Sequence, residues 1–153
     1  MRVLFWALVF LGIIGVITVV FVTGILTPQP HPPEKPNIYY RSEKDLIPDT
    51  YYCIEVVAEI DYDKVLFAVE TLDYRGFGKP FYILFLIKLP ERELACRPPA
   101  YYYDRGGQEV WSGNFEGLGG WKTLPLKQGI YVFIIAQTDE RTGIVKTRIT
   151  ISS

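Results

Sequence analysis

Acid–base chemistry needs a proton-carrying side chain held beside a second polar group, and this chain offers few. Its single histidine, His31, stands among prolines, with no neighbour for metal or proton chemistry. Carboxylates come in two close pairs, Asp61 and Asp63 around Tyr62 and Glu91 and Glu93 around Arg92. Such pairs can do acid–base work or hold calcium. Neither run has the spacing of a calcium loop, and both fall where a turn is expected, so they read as solvated turn carboxylates. With no histidine after His31, a histidine-based triad and a histidine-containing zinc site have no residue to build on. The two cysteines, Cys53 and Cys96, are too few for a thiolate zinc site. The expectation is a protein without catalytic residues, metal or cofactor, and not an enzyme.

Aromatic residues offer more. Tyr101, Tyr102 and Tyr103 stand in a row, with Trp111 and Trp121 following. Exposed rings on loops can stack on sugars or anchor a protein contact, so these five residues form the candidate binding surface. The competing reading is structural, because tyrosine is a common strand residue and a run of three puts rings on both faces of a strand.

The elements that must position these residues are strands. Residues 51–60 (YYCIEVVAEI) and 64–72 (KVLFAVETL) are rich in β-branched and aromatic side chains. The turn-prone residues 61–64 between them predict a hairpin. Residues 81–89 (FYILFLIKL) form a near-continuous apolar run closed by Pro90, too short to span a membrane and suited to a doubly buried central strand. Residues 130–136 (IYVFIIA) predict another core strand. In the last strand Val145, Thr147, Ile149 and Ile151 alternate with Lys146, Arg148 and Thr150, which gives one dry face and one wet one. No segment after residue 44 keeps a helical period. The fold class is all-β, and about 110 residues suit one domain over residues 45–153. With 16 basic and 17 acidic residues and no basic stripe, nucleic acid is not an expected partner.

Ahead of the domain the composition changes twice. Residues 3–26 (VLFWALVFLGIIGVITVVFVTGIL) carry no charge; as a helix they would be about 36 Å long, enough for a hydrocarbon core of about 30 Å. The run is longer than the apolar region of a cleaved signal peptide. It therefore reads as a retained signal-anchor behind a two-residue tail at residues 1–2, with the lipid bilayer as its partner. Residues 27–44 follow as a spacer, with five prolines crowded between Pro28 and Pro36. Proline fixes φ and biases the preceding residue toward extended backbone, so this stretch predicts a stiff stand-off of about 30 Å. Orientation is divided. Lys35, Arg41 and Lys44 by bare count favour a cytoplasmic domain, whereas Arg2 abuts the helix and residues 27–33 carry no fixed charge. The exported orientation is the expectation, and with it a Cys53–Cys96 disulfide.

The C-terminal third carries Leu124, Leu126, Gly129, Tyr131, Phe133, Ala136, Thr138 and Asp139, then Thr142, Gly143 and an alternating strand. This pattern resembles the closing strands of immunoglobulin-like sandwiches of the polycystic-kidney-disease type and fibronectin type III over residues 124–151. The resemblance implies a tyrosine corner, with Gly129 turning the chain and the Tyr131 hydroxyl bonded back to the main chain. It also implies a hairpin at residues 139–143. A jelly-roll-like sandwich is the alternative topology. The expectation is thus a single-pass, membrane-anchored antiparallel β-sandwich on the extracytoplasmic side. It would act as an accessory, structural or adhesion module through a protein partner or a homo-oligomer, with its final strand as an edge for strand addition. The alternative is a tethered carbohydrate- or ligand-binding module.

Overall fold

The computed structural model describes residues 34–153. The expected anchor at residues 3–26, His31 and most of the proline cluster lie outside the described residues. Among the described residues no helix is long and apolar enough to cross a membrane.

The described residues form eight strands: β1 (Tyr39–Leu46), β2 (Tyr51–Ala58), β3 (Tyr62–Tyr74), β4 (Phe81–Leu89), β5 (Gln108–Glu116), β6 (Gly119–Leu126), β7 (Gly129–Gln137) and β8 (Val145–Ser152). A short helix, α1 (Pro99–Tyr103), sits in the β4–β5 connection. The strands form two four-stranded sheets, in the orders β1-β8-β3-β6 and β2-β7-β4-β5. Every pairing is antiparallel. The result is an all-β sandwich. Its interleaved order is that of a double Greek key, the jelly-roll alternative among the two topologies the sequence leaves open.

Each sheet contributes one apolar face to a shared core. Val65, Phe67 and Val69 of β3 and Val145, Ile149 and Ile151 of β8 meet Tyr82, Leu84 and Leu86 of β4 and Tyr131, Phe133 and Ile135 of β7. The Phe67 and Phe133 rings lie 5.0 Å apart and tilted, the geometry aromatic quadrupoles favour. The period-2 pattern read in the last strand holds: Val145, Thr147, Ile149 and Ile151 are buried, and Lys146, Arg148 and Thr150 face out.

Interleaving overturns three sequence expectations. The expected hairpin turn at residues 61–64 is absent: residues 62–64 already belong to β3, and the link at 59–61 joins strands of different sheets. The same holds for residues 139–143, which carry the chain from β7 across to β8. Both links are short and polar as hairpin turns are, so local composition cannot distinguish turning back from crossing over. Strand β8 is not an edge either, since it pairs with β1 on one side and β3 on the other. The edges are β1 and β6 in one sheet and β2 and β5 in the other. Pro125, which can donate no ladder hydrogen bond, sits on edge strand β6.

The sandwich also begins earlier than expected. Strand β1 starts at Tyr39, within the stretch read as spacer, and its YYRSEKDL sequence shows little hydrophobic alternation. It is held by its ladder to β8 and by the Tyr62 hydroxyl, which donates to the Pro36 carbonyl at 2.7 Å.

The pairing registers define two ends. At one, Tyr39 pairs with Ser152, Ala58 with Gly129 and Leu89 with Ile130; the chain enters and leaves the sandwich there. At the other, Leu46 pairs with Val145, Phe81 with Glu116 and Glu70 with Gly119. Four connections gather at this far end, at residues 47–50, 75–80, 117–118 and 138–144.

Candidate functional site

Of the four carboxylates singled out in the sequence, Asp61 and Glu93 are engaged, while Asp63 and Glu91 are exposed. Asp61 accepts from the Gln128 N–H at 2.7 Å and from Lys127 Nζ at 2.9 Å. These contacts, the backbone one foremost, hold its carboxyl below the usual range and tie the β2–β3 link to the β6–β7 turn. Glu93 accepts from the Tyr101 hydroxyl at 3.2 Å, while Arg92 reaches across to Glu55 at 2.7 Å. Among the described residues no three His, Cys, Asp or Glu side chains come together as metal ligands.

Cys53 and Cys96 form a disulfide with Cα atoms 5.3 Å apart. It fastens the β4–β5 connection to edge strand β2, and α1 follows directly. Here the tyrosine run departs from expectation: Tyr101, Tyr102 and Tyr103 form a helical turn started by Pro98 and Pro99. Proline suits the first helical position because its missing N–H would be unpaired there anyway. Tyr102 turns inward, 3 % exposed, onto Ile87, Leu89, Val132 and Ile134. Its hydroxyl donates to the Ala95 carbonyl at 2.9 Å and accepts from the Arg97 N–H at 3.2 Å. The ring thereby pins the segment that holds Cys96. Tyr101 stands edge-on to Tyr102 with ring centroids 5.6 Å apart. The Arg105 guanidinium covers it at 4.1 Å. Tyr103 donates to Glu109.

The five candidate aromatic residues therefore do not form one surface. Tyr102 is core. Trp111 lies on the inner face of β5 beside Phe115, centroids 6.1 Å apart. Trp121 pairs with Ala68 on the outer face of the other sheet and is 70 % exposed. Sequence proximity misleads because the chain changes sheets between β5 and β6.

The tyrosine corner is present as the resemblance implies. The Tyr131 hydroxyl donates to the Lys127 carbonyl at 2.6 Å. Gly129 has φ +154°, and a Cβ there would come within 2.7 Å of Lys88 Cε. The feature is structural, and it aims β7 into the core.

Among the described residues, several strongly exposed apolar groups gather elsewhere. Phe77 is 87 % and Leu118 85 % exposed, on two of the far-end connections, and Ile47 and Ile144 are half-exposed on the other two. Among the described residues only Leu94, alone on the β4–β5 connection, is as exposed. Tyr74 joins the far-end group: it borders one hollow with Leu118 and another, of about 580 Å³, with Ile144. The two longer connections are hydrogen-bonded to each other. Phe77 N–H donates to the Arg141 carbonyl at 2.8 Å and Gly76 N–H to the Thr142 carbonyl at 3.1 Å. Below them the buried Gln137 amide donates to the Asp139 carbonyl and to Thr142 Oγ1. In the sequence these residues read only as a turn, since glycines flank both Phe77 and Leu118. A lone large apolar side chain between glycines was the signal available.

Several tyrosines of the sandwich are shifted toward high pH. Burial foremost raises the phenols of Tyr52, Tyr82, Tyr102 and Tyr131 above their ordinary value. Tyr103 is pushed up to about 12 by burial and then by the Glu109 carboxylate. A raised folded-state value means that the folded form holds its proton longer than the unfolded chain. The stabilisation is complete below the ordinary phenol value of about 10 and is lost as pH rises through the raised values. Denaturant midpoints should therefore fall from about pH 10 upward, together with the appearance of tyrosinate absorbance. A midpoint flat through that window would contradict the buried hydroxyls.

No protein-family model matches the chain, and no curated protein matches it.

Proposed function

We propose that this chain is a single-pass membrane protein of non-catalytic role. An N-terminal helix over residues 3–26 and a proline-rich spacer hold its β-sandwich on the extracytoplasmic side, where it acts as an accessory, structural or adhesion module through protein contacts. One observation carries the reading: Phe77 and Leu118 stand almost fully exposed at the end of the sandwich opposite the point where the chain enters. Large apolar side chains gathered at one end offer a partner surface to cover, and aromatic anchors dominate protein interfaces. A tethered module contacts a partner most readily through the end away from its tether. The uncharged run at residues 3–26 supports the anchor, and the Cys53–Cys96 bond supports an oxidising compartment.

The test is site-specific photo-crosslinking of the full-length chain in its native membrane. A crosslinker at position 77 or 118 should give one discrete protein adduct. The same group at Glu59, exposed at the opposite end of the sandwich, should give none. Equal labelling from both ends, or adducts to lipid alone at positions 77 and 118, would remove the far end from any protein contact.

A further inference from the structure

We propose that the outer face of the β1-β8-β3-β6 sheet is a binding site for an uncharged polysaccharide chain. The two outer faces of the sandwich are treated differently. That of the β2-β7-β4-β5 sheet is apolar and is closed by α1 and the disulfide-bonded connection, with Ile87, Leu89, Val132 and Ile134 beneath Tyr102. The β1-β8-β3-β6 face carries no such cover among the described residues. It is built in cross-strand rows, because directly paired residues of an antiparallel sheet point to the same side.

One row runs Tyr39, Ser152, Leu66, Thr123, and the next Arg41, Thr150, Ala68, Trp121. At the two edges of the sheet stand Tyr39 and Trp121, 72 % and 70 % exposed. Between them Ser152, Thr150 and Ala68 project little beyond the backbone, and Leu66 adds one apolar side chain between Ser152 and Thr123. Three inter-strand steps and a two-residue offset along the strands separate the two positions, about 16 Å, the length of a short oligosaccharide. A third row follows, Glu43, Arg148 and Glu70, in which the guanidinium holds both carboxylates at 3.0 Å.

This chemistry selects its ligand. A pyranose ring has an apolar C–H face that stacks on a flat aromatic ring and a rim of hydroxyls that both donate and accept. Two exposed rings over a hydroxyl-bearing floor, with a guanidinium and carboxylates along one side, offer both kinds of contact. Charge excludes the competitors. Across the three rows Arg41 and Arg148 stand against Glu43 and Glu70, so the face is balanced. A phosphate backbone or an acidic polymer would need an excess of positive charge. A second copy of the chain would need a contiguous apolar area, which the Ser and Thr floor interrupts. The proposal is independent of the protein contact assigned to the far end.

The experiment uses the full-length chain in detergent micelles, migrating through native gels that contain soluble mixed-linkage glucan, xylan, mannan or galactan, with alginate as the anionic arm. At least one neutral polysaccharide should retard the chain, and Trp121→Ala should weaken that affinity about tenfold or more. Tyr39→Ala should weaken it several-fold. Trp121→Phe, which keeps a flat ring, should recover much of the loss, and Phe77→Ala should leave retardation unchanged. Trp121 lies on the surface, so its variants should keep the wild-type unfolding temperature; that measurement separates lost binding from lost folding. The proposal is overturned by failure of every neutral polysaccharide to bind or by retardation that survives Trp121→Ala. Preference for alginate, or a change of oligomeric state in place of a change in glycan affinity, overturns it as well.

Discussion

Replacing Cys53 and Cys96 by serine is expected to lower the unfolding free energy by about 4 kcal/mol, the chain-entropy value for a loop of this length. The bond spans 43 positions and lies between β2 and the β4–β5 connection, so without it the unfolded chain gains freedom that the folded chain does not. The consequence is also local. Tyr102 is held by the main chain of Ala95 and Arg97, on either side of Cys96. Freeing Cys96 loosens the cover over Ile87, Leu89, Val132 and Ile134. The variant should therefore bind hydrophobic dyes and lose amide-exchange protection first in the α1 region. Denaturant unfolding of the oxidised protein, the reduced protein and the double serine variant checks the magnitude. A loss below about 1 kcal/mol would place the cross-link outside the stability of the fold.

Phe133→Ala is expected to cost about 3–5 kcal/mol. Phe133 is fully buried on the central strand β7 and packs against Phe67 from the opposite sheet. Truncation removes a contact that bridges both layers. The cavity opens where the backbone is held on both sides, by β2 and β4, and cannot collapse. Against a typical total of about 5–15 kcal/mol for a domain, such a loss leaves the sandwich near its unfolding threshold. The contrast is Trp121→Ala, a larger truncation on the open outer face, where surface substitutions stay within about 0.5 kcal/mol. Unfolding curves of the two variants side by side give the measurement. Equal losses would contradict the placement of these two aromatic residues.

Strand identity was legible because it is a local property. The alternation Val145, Thr147, Ile149, Ile151 and the apolar runs now seen as β4 and β7 declare a period of two wherever they pair. The tyrosine corner was legible for the same reason, since the Tyr131 hydroxyl bonds back to Lys127, four residues earlier. Strand β1 was not legible. Its charged sequence gains its β form from the ladder to β8, at the other end of the chain. The pairing of cysteines was an inference from compartment; the geometry puts them in contact because β2 is an edge strand, within reach of the long β4–β5 connection.

The five candidate aromatic residues are separated for a related reason. Tyr101, Tyr102, Tyr103, Trp111 and Trp121 are neighbours along the chain, yet the fold distributes them over a helical cover, the inner face of one sheet and the outer face of the other. Meanwhile Phe77 and Leu118, distant in sequence and each inconspicuous between glycines, stand at the same end of the sandwich because four connections converge there.

By itself the sequence determined an all-β domain, its core strands and its corner, together with the expectation of a tether ahead of them. Side-chain alternation and turn chemistry act over a few residues and leave their mark on any window of that size. Only the tertiary structure decided which strands are neighbours, where the edges lie and which aromatic rings face water. Those outcomes depend on hydrogen bonds and apolar contacts between segments far apart in the chain, and a link that crosses between sheets reads like one that turns back.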